Sequence, residues 1–346
     1  MFKNRPKILN SKGEEIVLND QEGRIANFLE NQIKNALGYE VDITTLTTIM
    51  KKVSEQKFFE IAPADYLPVR VGEGAWSTQL TTYRSFAIGE DFETGVVGTG
   101  TNNARMASAD AGVDTLSLPV RNWAKSIGWS LMDLYQAQRA GNWDLVTAKE
   151  ESRKKNWDLG IQRIAFLGIA TDGGVNGLLN QAGITENTTT ITKALKAMTP
   201  AELKSFAAAI LNDYRANCER TAWPTHFIIP ESDYLGLVSQ SSPDFPLKST
   251  LELLEEALKL ATRNAQFKIL PLAYADAAHG APSGKQYYTL LNYEEKSVRM
   301  DIPVDYTNTL ANSTDNFNFQ NVGYGQFTGC LAYRPKEMMY FTHSTP

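Results

Sequence analysis

Two rhythms of apolar residues run along the chain, and each predicts its own kind of element. Ile25, Phe28, Leu29, Ile33 and Leu37 fall on one face of a helix predicted over residues 22–37. Residues 41–53 are rich in Thr and ambiguous. Residues 83–88 and 115–120 read as strand pieces. Between them, residues 89–114 hold Gly, Thr, Asn and Ala with few large apolar side chains, too few for a core of their own. Seven glycines lie between Gly72 and Gly112, and no lysine lies between Lys57 and Lys125. A loop this long in a compact chain is either disordered or functional. Its flanking strands predict a long two-stranded arm. Such a ribbon is marginal in water unless it lies on something.

Residues 130–168 carry a helical pattern. Ser130 with Asp133 resembles an N-cap, and Gly141-Asn142 marks a break. A long helix is then predicted over residues 143–167. Its ends are apolar, with Trp143 and Val146 at one and Trp157, Ile161 and Ile164 at the other. Its middle, residues 149–156, is polar on every face. There Glu150 precedes Lys154, and Glu151 precedes Lys155, in the favourable i,i+4 order, with Arg153 between them. Such a stretch bridges solvent or pairs with something else; a plain solvated stretch is the other reading. Beside an orphan arm, it suggests a subunit that does not close on itself.

A turn studded with Gly173, Gly174 and Gly177 follows, and then the pattern becomes α+β. Thr199-Pro200-Ala201-Glu202 combines a capping box with Pro at the first helical position. The helix it opens places Leu203, Phe206, Ala207, Ile210, Leu211, Tyr214 and Cys218 on one face. Residues 226–229 form a buried strand, and a short helix lies near 233–238. Ser249 and Glu252 make a second capping box, before a helix lined by Leu251, Leu254, Leu258 and Ala261. Further strands are predicted at 267–272, 286–291, 327–333 and 338–342. Helices segregated against a mostly antiparallel sheet define an α+β half.

Composition narrows the chemistry. The chain has 346 residues, of which 42% are apolar and 21% charged, so it buries roughly three quarters of its unfolded surface without a disulfide framework. The formal net charge of -5 argues against a strongly basic nucleic-acid binder. No apolar run approaches the roughly 18 residues of a membrane span. Residues 1–10 are polar and basic with no apolar stretch behind them, unlike a signal peptide. The expectation is a soluble protein made in a reducing compartment.

The catalytic inventory is thin. His226, His279 and His343 are the three histidines, and none sits at metal-ligand spacing. Gly98 and Gly100 form a lone GxG with no strand leading in. Cys218 lies on the apolar stripe of its helix, so a buried thiol is favoured over a nucleophile, and His226 reads as a structural histidine. No cofactor, metal site or catalytic group is predicted.

Four stretches carry a family resemblance. Residues 123–137, WAKSIGWSLMDLYQA, look like a strand leading into a long helix through Ser-x-x-Asp-Leu. Phe166-Leu167-Gly168 with Gly173-Gly174-Val175-Asn176-Gly177-Leu178-Leu179-Asn180 is similar to a glycine turn that ends such a helix. Trp223-Pro224-Thr225-His226-Phe227-Ile228-Ile229-Pro230 looks like a Pro-Thr strand followed by a short helix. The last is the C-terminal strand pattern, residues 329–340, with Arg334-Pro335. In order and spacing the four resemble the major capsid proteins of tailed bacteriophages, with the Hong Kong 97-type fold. The resemblance covers about residue 20 to the C-terminus.

It implies an N-terminal arm over 1–64 and an extended β-hairpin loop with its flanking strands over 65–125. A peripheral domain with a spine helix would take 126–195, an axial domain 196–320, and strands returning to the peripheral domain 321–346. The implied function is self-assembly, as hexamers and pentamers, into an icosahedral head shell. That shell would enclose double-stranded DNA without reading its sequence, as part of a virion assembled in the host cytoplasm. Scaffolding, portal and decoration proteins are the implied partners, with no membrane. Arg105 on the hairpin loop and Glu150, Glu151, Arg153, Lys154 and Lys155 on the spine helix are the expected inter-subunit contacts. An encapsulin-like nanocompartment shell is the alternative with the same fold, and a soluble α+β enzyme the alternative of another class. The sequence departs from the type member twice. No long coiled-coil segment marks a built-in scaffold, and no lysine stands on the extended loop for covalent cross-linking.

Overall fold

The computed structural model describes residues 59–88, 110–139, 144–242 and 245–343. The predicted helix at 22–37, the stretch 41–53, the hairpin tip 89–109 with Arg105, and Trp143 lie outside those residues. Two units separate along the chain: Met1–Lys57 with Tyr135–Asp144, and Phe58–Leu134 with Leu145–Pro346. The second holds the sheets and both apolar cores.

In chain order the first strands are β1 (Val69–Val71), β2 (Gln79–Ile88), β3 (Asp110–Pro119) and β4 (Arg121–Ser130). Helices α1 (Leu131–Arg139) and α2 (Leu145–Leu167) follow, then β5 (Thr185–Asn187), α3 (Pro200–Asn217), β6 (His226–Pro230) and α4 (Glu231–Ser239). Next come β7 (Ser241–Ser242), β8 (Phe245–Ser249), α5 (Thr250–Thr262), β9 (Lys268–Leu272), β10 (Gln286–Leu291) and β11 (Val298–Ile302). The chain ends with β12 (Val304–Asn308), β13 (Asn312–Ser313), β14 (Asn318–Phe327), β15 (Cys330–Ala332) and β16 (Met338–His343).

A five-stranded sheet of order β5-β16-β10-β6-β9 separates two apolar cores. Strand residues alternate between its faces. Phe227, Ile229, Tyr288, Leu290, Met339 and Phe341 face α3 and α5, whose Leu203, Phe206, Ile210, Leu211, Leu254 and Leu258 close that core. Ile228, Tyr287, Leu291, Met338 and Tyr340 face the other core with Trp157, Ile161, Ala165 and Phe166 of α2. Burial on both faces explains why β6, β10 and β16 read as continuous apolar runs rather than as alternation.

The local signals of the sequence act as expected at several ends. Ser130 and Asp133 cap α1 reciprocally, each backbone N–H donating to the other side chain at 3.0 and 3.1 Å. Thr199 and Glu202 do the same for α3 behind Pro200. The Ser249 hydroxyl accepts from the Glu252 N–H at the start of α5. After α2 the chain reverses at Gly168, whose φ of +68° lies in the left-handed region. A Cβ there would stand 2.3 Å from the Val175 carbonyl oxygen, so only glycine fits.

Several expectations need correction. The five-stranded sheet is mixed rather than mostly antiparallel, since β16 pairs β5, and β6 pairs β9, in parallel. The strand expected over 327–333 is two strands in different sheets: β14 ends at Phe327 and β15 pairs with β11. Gly329 lies between them, where a Cβ would stand 2.7 Å from the Asn176 carbonyl oxygen. Ala261 is exposed and its neighbour Thr262 takes the buried place, with its hydroxyl bonded to the Leu258 carbonyl at 2.8 Å. The returning C-terminal residues divide. β14 runs along β4, but β16 enters the five-stranded sheet between β5 and β10, where all six of its residues are buried. The middle of α2 is not polar on every face in the sense of being solvated, because Arg153 is buried.

Candidate subunit-contact surfaces

Strands β2 and β3 pair antiparallel through ten residues each, from Gln79 opposite Pro119 to Ile88 opposite Asp110. Neither strand pairs with a third among the described residues. Two of its large side chains, Tyr83 and Val113, are 71% and 66% exposed. Arg84 reaches Asp114 across the ribbon at 3.4 Å. Among the described side chains burial is confined to the base, at Leu118 and Val120. Ten residues of open strand edge on each side, with apolar side chains in water, form a surface that a partner would cover.

The base is anchored twice. Strand β1 lies parallel to β11 and sets Arg70 opposite Asp301. The Asp301 carboxylate, 2% exposed, accepts from Arg70 Nε at 2.9 Å and pairs with Arg299 Nε at 3.1 Å. Arg299 in turn donates to the Tyr333 hydroxyl at 2.6 Å. On the other side Arg121 donates to Asp172 at 2.5 Å, in the glycine turn after α2. That guanidinium, with the Gly174 N–H, holds the Asp172 carboxyl below the usual carboxylate range.

The spine-helix cluster divides. Arg153 turns inward and is 2% exposed, bonded to groups on β4, β12 and β14 of its own chain. Glu150 accepts from the Asn321 side-chain amide at 2.5 Å. Lys155 stands 3.8 Å from Glu60. Glu151 and Lys154 are exposed. The expected contact set is thus one inward arginine, one glutamate tied to β14, and three groups at or near the surface. Arg153 misleads because charge alone does not reveal a helix face that meets polar backbone.

Another exposed surface belongs to the half around α4, β8 and α5. Leu235, Val238, Leu247 and Leu260 lie there in water, the last two 98% and 82% exposed.

Groups able to do chemistry are placed as structure. His226 stacks on Tyr293 with ring centroids 4.8 Å apart, and Thr225 Oγ1 lies 3.0 Å from its Nδ1. Burial, helped by Lys268, lowers its pKa to about 4, which keeps it neutral. Cys218 and Cys330 are buried free thiols, and burial pushes the Cys330 pKa up. Among the described residues no cluster of His, Cys, Asp and Glu converges on a metal-sized site, and no helix is long and apolar enough to cross a membrane. The sequence reading missed two buried networks: Asp301 between its arginines, and Asp233, which accepts from the Leu195 N–H at 3.0 Å and the Tyr288 hydroxyl at 2.5 Å. Apart from Arg299, two residues from Asp301, their partners lie far apart in the chain, so no local motif marks them.

A long helix, a sheet between two cores and a two-stranded ribbon with no third strand among the described residues match the Hong Kong 97-type capsid fold. Solved capsid structures share it. The capsid of Myoviridae phage XM1 aligns with a TM-score of 0.69 at 18% identity, over 87% of this chain and 97% of that one. The Mycobacterium phage Ogopogo structure gives 0.55 at 10% identity, over 87% and 98%. A native gene transfer agent particle capsid gives 0.54 at 12% identity, over 90% and 99%. No curated protein sequence matches the chain. The family model for major capsid proteins matches residues 95–343, and the chain belongs to that family. Membership favours a capsid protein over a nanocompartment shell and over an enzyme.

Proposed function

We propose that this chain assembles, as hexamers and pentamers, into an icosahedral head that encloses double-stranded DNA. The observation that carries the proposal is the ribbon β2–β3. It is ten residues long on each strand and without a third strand among the described residues, in a chain of the major capsid protein family. The ribbon lies on a neighbouring subunit, where burial of Tyr83 and Val113 and pairing of its edges repay its ordering. Arg105 on the hairpin loop and Glu151, Lys154 and Lys155 on the spine helix supply charged contacts between subunits. The apolar side chains around α4, β8 and α5 supply further contact area.

The expected division into arm, hairpin, peripheral and axial parts is redrawn at several boundaries: β5 and β16 go with the axial part, and β12 and β13 with the peripheral part. The axial part takes the five-stranded sheet with α3, α4 and α5, including β16; the peripheral part takes α2 with β4, β12, β13 and β14. The net charge of -5 keeps the shell from adhering strongly to the genome. A portal serves assembly, with a separate scaffold or none, and the virion is built in the host cytoplasm. Negative-stain images of the purified chain test the core of this reading. Closed shells, or free hexamers and pentamers, are expected; a protein that stays monomeric at high concentration contradicts it.

A further inference from the structure

The guanidinium of Arg153 is buried under the spine helix and spends its donors on three strands. Its Nε donates to the Tyr306 hydroxyl at 2.8 Å, and one terminal nitrogen donates to Asn308 Oδ1 at 2.9 Å, both on β12. The other terminal nitrogen reaches Asn321 Oδ1 at 2.8 Å and the Asn321 carbonyl at 3.0 Å on β14, and the Lys125 carbonyl at 3.3 Å on β4. None of these acceptors is charged. Glu150 enters the network only through Asn321, whose side-chain amide it accepts.

Burying a cation among neutral acceptors is a poor way to gain stability, because apolar packing in place of both the ion and its partners usually serves as well or better. Directional bonds to a planar fork do something apolar packing does not, which is to fix an orientation. The backbone beneath the helix has been cleared for this contact. A Cβ on Gly323 would stand 2.6 Å from Arg153 Nε, and one on Gly325 would stand 2.5 Å from the Trp157 ring. The strand therefore runs directly against the helix. Trp157 packs on Trp123 and Tyr306 one turn further along, with centroids 5.3 and 6.4 Å away.

We propose that Arg153 is a positioning residue that sets the angle between the spine helix and the β4–β14 sheet, and through it the uniform curvature of the shell. This rests on the proposed function, because curvature has meaning only for a chain that forms shells. The helix carries Glu151 and Lys154, and β4 leads directly out of the ribbon, so each continues into a surface proposed to meet a neighbour. A small change in their angle is repeated at every copy, so a closed particle of one diameter needs the angle held.

Four proteins test it, each measured for the melting temperature of the free subunit and the diameter distribution of its particles. Wild type gives particles of one diameter. Arg153→Met leaves its neutral acceptors without a donor and lowers the melting temperature, and the particles it still forms have mixed diameters or are open sheets or tubes, a readout that a loss of subunit stability alone would not move. Arg153→Lys, which keeps a donor without the fork, gives an intermediate spread. Tyr306→Phe combined with Asn308→Ala keeps the arginine and removes two of its acceptors. It broadens the distribution too, and it carries the test if Arg153→Met fails to fold. Uniform particles of wild-type diameter from Arg153→Met, or from the acceptor variant where Arg153→Met does not fold, overturn the inference, whatever the melting temperature. Wild-type protein that forms no closed particles overturns the proposed function and this inference with it.

Discussion

Excising the ribbon separates assembly from folding. Tyr83 faces Thr115 in the register, so residues 84–114 are replaced by Asn-Gly, the pair preferred in a two-residue hairpin turn. Among the described side chains, the excision removes the exposed Arg84–Asp114 pair, worth about 0–1 kcal/mol. It also removes Val113. Fully burying a valine contributes about 1.5–3 kcal/mol, and this one is only about a third covered, so its loss costs about 0.5–1 kcal/mol. Leu118 and Val120, buried at the base, stay in place, as do the Arg70–Asp301 and Arg121–Asp172 anchors. The free subunit should therefore lose no more than about 1–2 kcal/mol. Urea unfolding of the subunit, followed by tryptophan fluorescence, measures that loss; sedimentation and electron microscopy measure the particles. The expected result is a folded subunit that forms no closed shells. Normal shells from the trimmed chain would show that the ribbon is an idle surface loop. A loss of several kcal/mol would show that it belongs to the subunit's own core.

Exchanging charges at the exposed spine-helix pair, Glu151→Lys with Lys154→Glu, should change subunit stability by about 0–1 kcal/mol and lower particle stability against salt and heat; equal loss in both would make the helix surface purely internal. His226 is held neutral by burial, with a folded pKa of about 4 below its unfolded value near 6.5. The stability tied to the neutral ring is present above about pH 6.5 and is lost as pH falls toward about 4, up to about 3 kcal/mol. His226→Gln should flatten that part of the pH–stability curve, and an unchanged slope would place the acid sensitivity elsewhere. With no lysine between Lys57 and Lys125, the extended loop offers no amine for an isopeptide bond. Mature particles boiled in SDS with reductant should run as one band near 38.4 kDa, and a ladder of oligomers would refute a shell held by non-covalent contacts alone.

What the sequence reveals depends on how local the cause is. Capping pairs such as Thr199 with Glu202 and the apolar stripe of α3 are written within one or a few turns, and both are present as read. The ribbon is legible as well, through what it lacks: residues between two strands that could fill no core. Strand pairing is less so. Strands β4 and β14 are joined across two hundred residues, and β14 alternates glycine with larger residues for the sake of Arg153 and Trp157 above it. Nothing in residues 318–327 alone reports that helix. The same holds for Arg153, which in sequence is one charge among several. Its burial follows from Asn308 and Asn321, more than a hundred and fifty residues away. β16 carries no mark of the sheet it joins, because an apolar strand fits equally well in any sheet buried on both faces.

The most direct test of the central claim is a cryo-EM map of particles assembled from this chain. The account predicts a closed icosahedral shell in which β2 and β3 of each subunit lie against a neighbour, with Tyr83 and Val113 covered by it. Particles whose ribbons stand free of every neighbour, or fold back onto their own subunit, would contradict it.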